Sequence, residues 1–115
     1  MTIAEPYGRV ETHTLYLRLR AAPTMSIPRA QDTGRDPNAP VRRITPNLLT
    51  ITYERDLYDA VQWRLDRAYV TCMGPESGTI AWAPPDPEDG EQSRWTLPWE
   101  SAPEWVRTTA ETFKP

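Results

Sequence analysis

The sequence specifies an α+β fold, a small antiparallel β-sheet with one or two packed helices, one of them C-terminal. Three observations lead there. Residues 10–20 (VETHTLYLRLR) alternate leucine with polar side chains, residues 47–54 (NLLTITYE) alternate again, and residues 101–113 carry apolar side chains at helical spacing behind a helix-start signal. If residues 56–73 form a hairpin rather than a helix, the same chain becomes mainly β with a C-terminal helix.

In the first strand Leu15, Leu17 and Leu19 share one face, with Tyr16, Arg18 and Arg20 on the other. His13 is read as a surface side chain on the face away from the leucines. Between residues 21 and 46 the pattern stops, because Pro23, Pro28, Pro37, Pro40 and Pro46 stand among Asp32, Gly34, Asp36 and Asn38. This predicts a long proline-rich loop, either a flexible insertion or a binding loop. The second strand follows, with Leu49, Ile51 and Tyr53 on one face and Leu48, Thr50 and Thr52 on the other, antiparallel to the first.

Residues 56–73 admit two readings. As a helix, Leu57, Val61, Leu65, Ala68 and Cys72 fall in one arc, behind Asp56 as cap and Asp59 in the first turn. That helix ends near Arg67 and is followed by a strand over residues 68–73. As a hairpin, Val61, Trp63 and Leu65 alternate with Gln62, Arg64 and Asp66, and Asp66-Arg67 turns the chain. A turn between Gly74 and Gly78, a short strand over residues 79–83 and an acidic proline-rich loop over residues 84–92 come next. Residues 93–98 read as an edge strand around Trp95 and Leu97. Ser101 and Glu104 then fit a capping box with Pro103 in the first turn, and burial of Trp105 and Phe113 is expected to hold the terminal helix on the sheet.

Composition sets the bounds. The 115 residues amount to one domain, and 5 Trp, 5 Tyr and 1 Phe concentrate its apolar area in a few large rings. The formal charge is -3, with the acidic excess in the second half of the chain, which argues against affinity built on phosphate neutralisation. No stretch approaches the roughly 20 apolar residues that cross a bilayer, and the N-terminal residues lack the order of a secretion signal. Cys72 is the sole cysteine, so no internal disulfide forms, and a reducing cytoplasmic compartment is expected. Twelve of the thirteen basic residues are arginine, a bias that resembles chains from high-GC bacterial genomes.

A complete catalytic or metal-binding set is missing. His13 and Cys72 are the only residues of their kinds, which leaves no triad and too few ligands for structural zinc. Asp86, Glu88, Asp89 and Glu91 lack the pattern of a calcium loop, and no phosphate-binding or dinucleotide fingerprint occurs, so no cofactor is expected. The carboxylates of Glu54, Asp56, Asp59 and Asp66 are the remaining acid-base candidates, and Arg35, Arg42 and Arg43 the candidate clamp for an anionic ligand. No catalytic residue is assigned. Trp63, Trp95 and Trp99 are the candidate interaction residues, because exposed indoles make strong anchors.

The function expected is therefore a non-enzymatic protein-interaction or accessory module, self-associating or bound to a protein partner through a strand edge and its tryptophans. Neither nucleic acid nor membrane is an expected partner. The alternative is a small-molecule binding protein or weak acid-base enzyme with an aromatic pocket closed by the proline-rich loop.

Overall fold

The computed structural model describes residues 3–4, 10–32, 36–56, 62–73 and 77–115. Among the described residues seven strands and one α-helix follow in order: β1 (Val10–Arg18), β2 (Met25–Ser26), β3 (Arg43–Ile44), β4 (Leu48–Asp56), β5 (Arg64–Cys72), β6 (Gly78–Ala83), β7 (Leu97–Pro98) and α1 (Glu104–Thr112). Short 3-10 turns occupy Arg29–Gln31 and Trp99–Ser101. The main sheet has the order β1-β4-β5-β6-β7; β2 and β3 form a separate ribbon. Neighbours are antiparallel except β6 and β7, which run parallel. This is the α+β architecture that the alternation and the helical spacing imply.

Register decides what each face contains. Leu15 lies opposite Ile51 and Leu17 opposite Leu49; Ile51 in turn meets Ala68, and Leu49 meets Val70. Across the next seam Val70 pairs with Ile80, and Ala68 with Trp82. These side chains form one core face, on which α1 sets Val106 and Ala110. His13 has the same parity as the leucines and so belongs to this inner face, half-buried, rather than to the outer one.

The segment read as a loop, residues 21–46, contributes to that core. Ile27 and Ile44 are buried against β6, where Gly78 leaves room for them; a Cβ at Gly78 would stand 2.5 Å from the Ile27 Cδ1 atom. Two apolar residues far apart in a proline-rich stretch carry no periodic signal, which is why the pattern concealed them.

Over Arg64–Cys72 the helical reading gives way to strand. β5 runs through Asp66 and Arg67, where a helix or a turn was expected, and the extra residue is absorbed by a register shift between Thr52 and Tyr53. Paired strands on both sides supply β5 with backbone partners and bury Ala68 and Val70 at 0% exposure, a gain that outweighs local helical spacing. Residues 57–61, with Leu57, Asp59 and Val61 of the expected helix, lie outside the described set, as does most of the turn expected between Gly74 and Gly78.

The terminal helix begins later than its capping box implies. Ser101 belongs to the preceding 3-10 turn, where its hydroxyl donates to the Pro98 carbonyl at 2.7 Å. Pro103 takes the N-cap position, and its carbonyl accepts from the amides of Val106 and Arg107. Phe113 ends the helix at 47% exposure, so Val106 and Ala110 replace it as buried contacts. At the other end of α1 the buried Tyr53 hydroxyl donates to the Ala110 carbonyl, satisfying an acceptor that the last helical turn leaves open. The expected strand over residues 93–98 shortens to Leu97–Pro98, with Trp95 in the turn before it.

Candidate functional site

The two edges of the sheet are treated differently. At the β6 edge the Gln31 side chain behaves like a strand residue: its Nε2 donates to the Ala81 carbonyl at 2.9 Å, and its Oε1 accepts from the Ala81 amide at 3.0 Å. Next to it β7 pairs with Trp82 and Ala83, and Gln92 Nε2 donates to the Ala83 carbonyl at 3.1 Å. From Ala81 to Ala83 that edge is closed.

At the opposite edge β1 spans nine residues without a bulge or proline. Its backbone orientation follows from two independent contacts. The Leu19 amide donates to the Asn47 carbonyl in register with β4, which places the odd-numbered groups of β1 on the β4 side. Working back across the ladders from the outward-facing Ala81 gives the same phase. The amides and carbonyls of Val10, Thr12, Thr14, Tyr16 and Arg18 therefore point away from the sheet, and among the described residues none reaches them. Such an edge is a template for another strand.

The outer face adjoining this edge is polar and aromatic. Tyr16, Thr50, Tyr69 and Ala81 form one row across β1, β4, β5 and β6. Thr50 is 1% exposed in the middle of that row, flanked in register by the two tyrosines. A shallow depression of about 520 Å³ lies over the face, bordered by Thr12, Thr14, Tyr16, Tyr69 and Trp95. Tyr16 is 72% exposed and Trp95 62%, with the Arg94 guanidinium 4.6 Å from the centre of the Trp95 ring.

The three candidate interaction tryptophans occupy separate places. Trp63 is half-buried on the inner side, 5.7 Å from the His13 ring, with the Arg55 guanidinium 4.7 Å over it. Arg55 also pairs with Glu11 across the β1–β4 seam at 2.9 Å. Trp99 packs against the core from its 3-10 turn. Trp95 alone of the three stands open on the outer face, and Tyr16 stands there with it. Alternation already placed Tyr16 opposite the leucines, and that was the available signal.

Of the arginines expected as a clamp, Arg42 and Arg43 fall among the described residues. Arg42 is committed to the fold, donating to Asp32 at 3.2 Å and to the Ser77 carbonyl. Arg43 is exposed on β3, and Arg35 lies outside the described residues.

Of the acid-base candidates, Glu54 and Asp66 line a common cleft of about 880 Å³ with Arg64, Arg67 and the loop acids Asp86 and Glu88. Burial, and then the neighbouring Glu54 charge, raise the Asp66 pKa above the ordinary carboxylate value. Glu54 pairs with Arg64 at 3.1 Å. This cleft is open and charged, unlike the aromatic pocket imagined beneath the proline-rich loop. Asp56 ends β4, and Asp59 is outside the described residues. Among the described residues no group of three His, Cys, Asp or Glu side chains is placed to hold a metal, and no helix is long and apolar enough to cross a membrane.

No protein family, no curated protein and no solved structure matches this chain.

Proposed function

We propose that the chain is a non-enzymatic protein-interaction module of the bacterial cytoplasm, which engages its partner along the β1 edge and the outer face beside it. The observation that carries this reading is the contrast between the two edges. One is closed from Ala81 to Ala83 by Gln31, Gln92 and β7, while the other is a regular nine-residue strand with the backbone groups of five residues turned outward. Strand addition at such an edge supplies affinity through the backbone, and flanking side chains supply selectivity. Tyr16 and Trp95 provide the anchoring rings, since large aromatic side chains bury much area for few lost rotors.

Site-specific photo-crosslinking in cells tests the proposal. Replacing Tyr16 or Trp95 with p-benzoylphenylalanine is expected to give discrete protein adducts, and the same replacement of Thr108, exposed on α1, is expected to give none. Absence of adducts at both outer-face positions overturns the reading.

A further inference from the structure

We infer that the partner of the β1 edge is a second copy of the chain: two β1 strands pair antiparallel about a two-fold axis at Thr14, joining two five-stranded sheets into one. This rests on the reading of β1 as the contact edge and goes further by naming the occupant and the register.

Antiparallel strands related by a two-fold axis perpendicular to the sheet keep the same face up, so residues of like parity oppose one another. The outward groups of β1 are all of one parity: Val10, Thr12, Thr14, Tyr16 and Arg18. With the axis at Thr14, Val10 meets Arg18, Thr12 meets Tyr16 and Thr14 meets its own copy. All five outward amides of each strand then find carbonyls, about ten bonds across the axis. Moving the axis by one residue in either direction strands an end residue and removes two of them.

Side chains favour the same register. On the outer face it sets Tyr16 against Thr12 of the second copy and Thr14 against Thr14, the aromatic with β-branched and Thr-Thr combinations that stabilise neighbouring strands. On the inner face Leu15 meets His13, and Leu17 meets Glu11. No like charges oppose, whereas an axis shifted toward Glu11 or Arg18 would bring two carboxylates or two guanidinium groups together. Leu15 and Leu17 remain only partly buried in the single chain, and a strand beyond β1 covers their open side. Trp63, resting on His13, then borders the joint.

Sedimentation equilibrium over a wide concentration range is the first measurement, and it is expected to show a monomer-dimer equilibrium. Because the Thr14 amide faces away from β4, Thr14→Pro removes no bond within the chain, as for other edge-strand prolines. It deletes both bonds at the axis and is expected to weaken association about tenfold or more. Thr14→Lys and Thr14→Glu supply a test that does not depend on proline. Each alone is expected to be monomeric, and an equimolar mixture is expected to form a heterodimer, because only at the axis does a residue face its own copy. In hydrogen exchange the Thr12, Thr14 and Tyr16 amides gain protection with concentration, while Leu15 and Leu17 stay protected throughout.

A wild-type chain that remains monomeric up to millimolar concentration overturns self-pairing, and so does a dimer unaffected by Thr14→Pro. Failure of the Lys and Glu variants to combine overturns the register. If the chain is monomeric but Tyr16 crosslinks to a different protein, self-pairing fails while the edge keeps its role. If there is neither dimer nor adduct, both fail.

Discussion

The Tyr53 phenol is 1% exposed, donates to the Ala110 carbonyl, and has its pKa pushed up to about 12 by burial first and by the Glu111 charge second. An unfolded chain releases that proton near the ordinary value of 10.0, so the folded state holds it over a higher range. The contribution is fully present below pH 10 and is lost as pH rises toward 12, amounting to about 1–3 kcal/mol over the window. Denaturant titrations of Tyr53→Phe are expected to show less loss of stability across this alkaline range. At pH 7 the variant should be about 1–3 kcal/mol less stable, because the Ala110 carbonyl loses its buried donor. His13 shows the same dependence on neighbours at the level of one side chain: parity assigns it to the inner face, and only the approach of Trp63 and Tyr53 determines that it is packed in a ring cluster.

Among the elements, α1 and the β6 edge differ most from what local signals imply. The spacing of residues 101–113 marks a helix correctly but assigns Phe113 to the interface, whereas the helix ends at Thr112 and Phe113 points to solvent. Phe113→Ala is accordingly expected to change stability by less than about 0.5 kcal/mol, against a loss of about 1–3 kcal/mol for Val106→Ala, measured by urea unfolding. At the β6 edge a single amide side chain replaces a neighbouring strand. Gln31→Ala is expected to cost about 1–2 kcal/mol and to accelerate amide exchange at Ala81, with little change at Val70 in the centre of the sheet. Slow exchange at Ala81 in that variant would show that β7 and the turn at Trp95 close the edge without Gln31.

For the whole molecule, closure of one edge and exposure of the other give the sheet a direction of growth. A species that forms only between folded chains stabilises them by mass action, so the melting temperature is expected to rise with protein concentration in the wild type. Calorimetry of Thr14→Pro over the same concentrations should give a smaller rise, displaced to higher concentration. A wild-type melting temperature independent of concentration would be incompatible with pairing at β1.

Alternation of leucine with polar residues around Leu15 and of Leu49, Ile51 and Tyr53 with threonine marked β1 and β4 and their inner faces before any packing was known, because strand periodicity is local to the chain. The terminal helix was legible for the same reason. Tertiary structure alone decided that residues 64–67 join a strand, that Ile27 and Ile44 reach the core through a proline-rich segment, and that Gln31 pairs with Ala81, fifty residues away. Each of these depends on a neighbour remote in sequence, and a residue's own flanking pattern holds no record of which surface will arrive beside it. The open edge is the clearest case: the composition of β1 shows a strand, but only the placement of every other strand shows that nothing described lies beyond it.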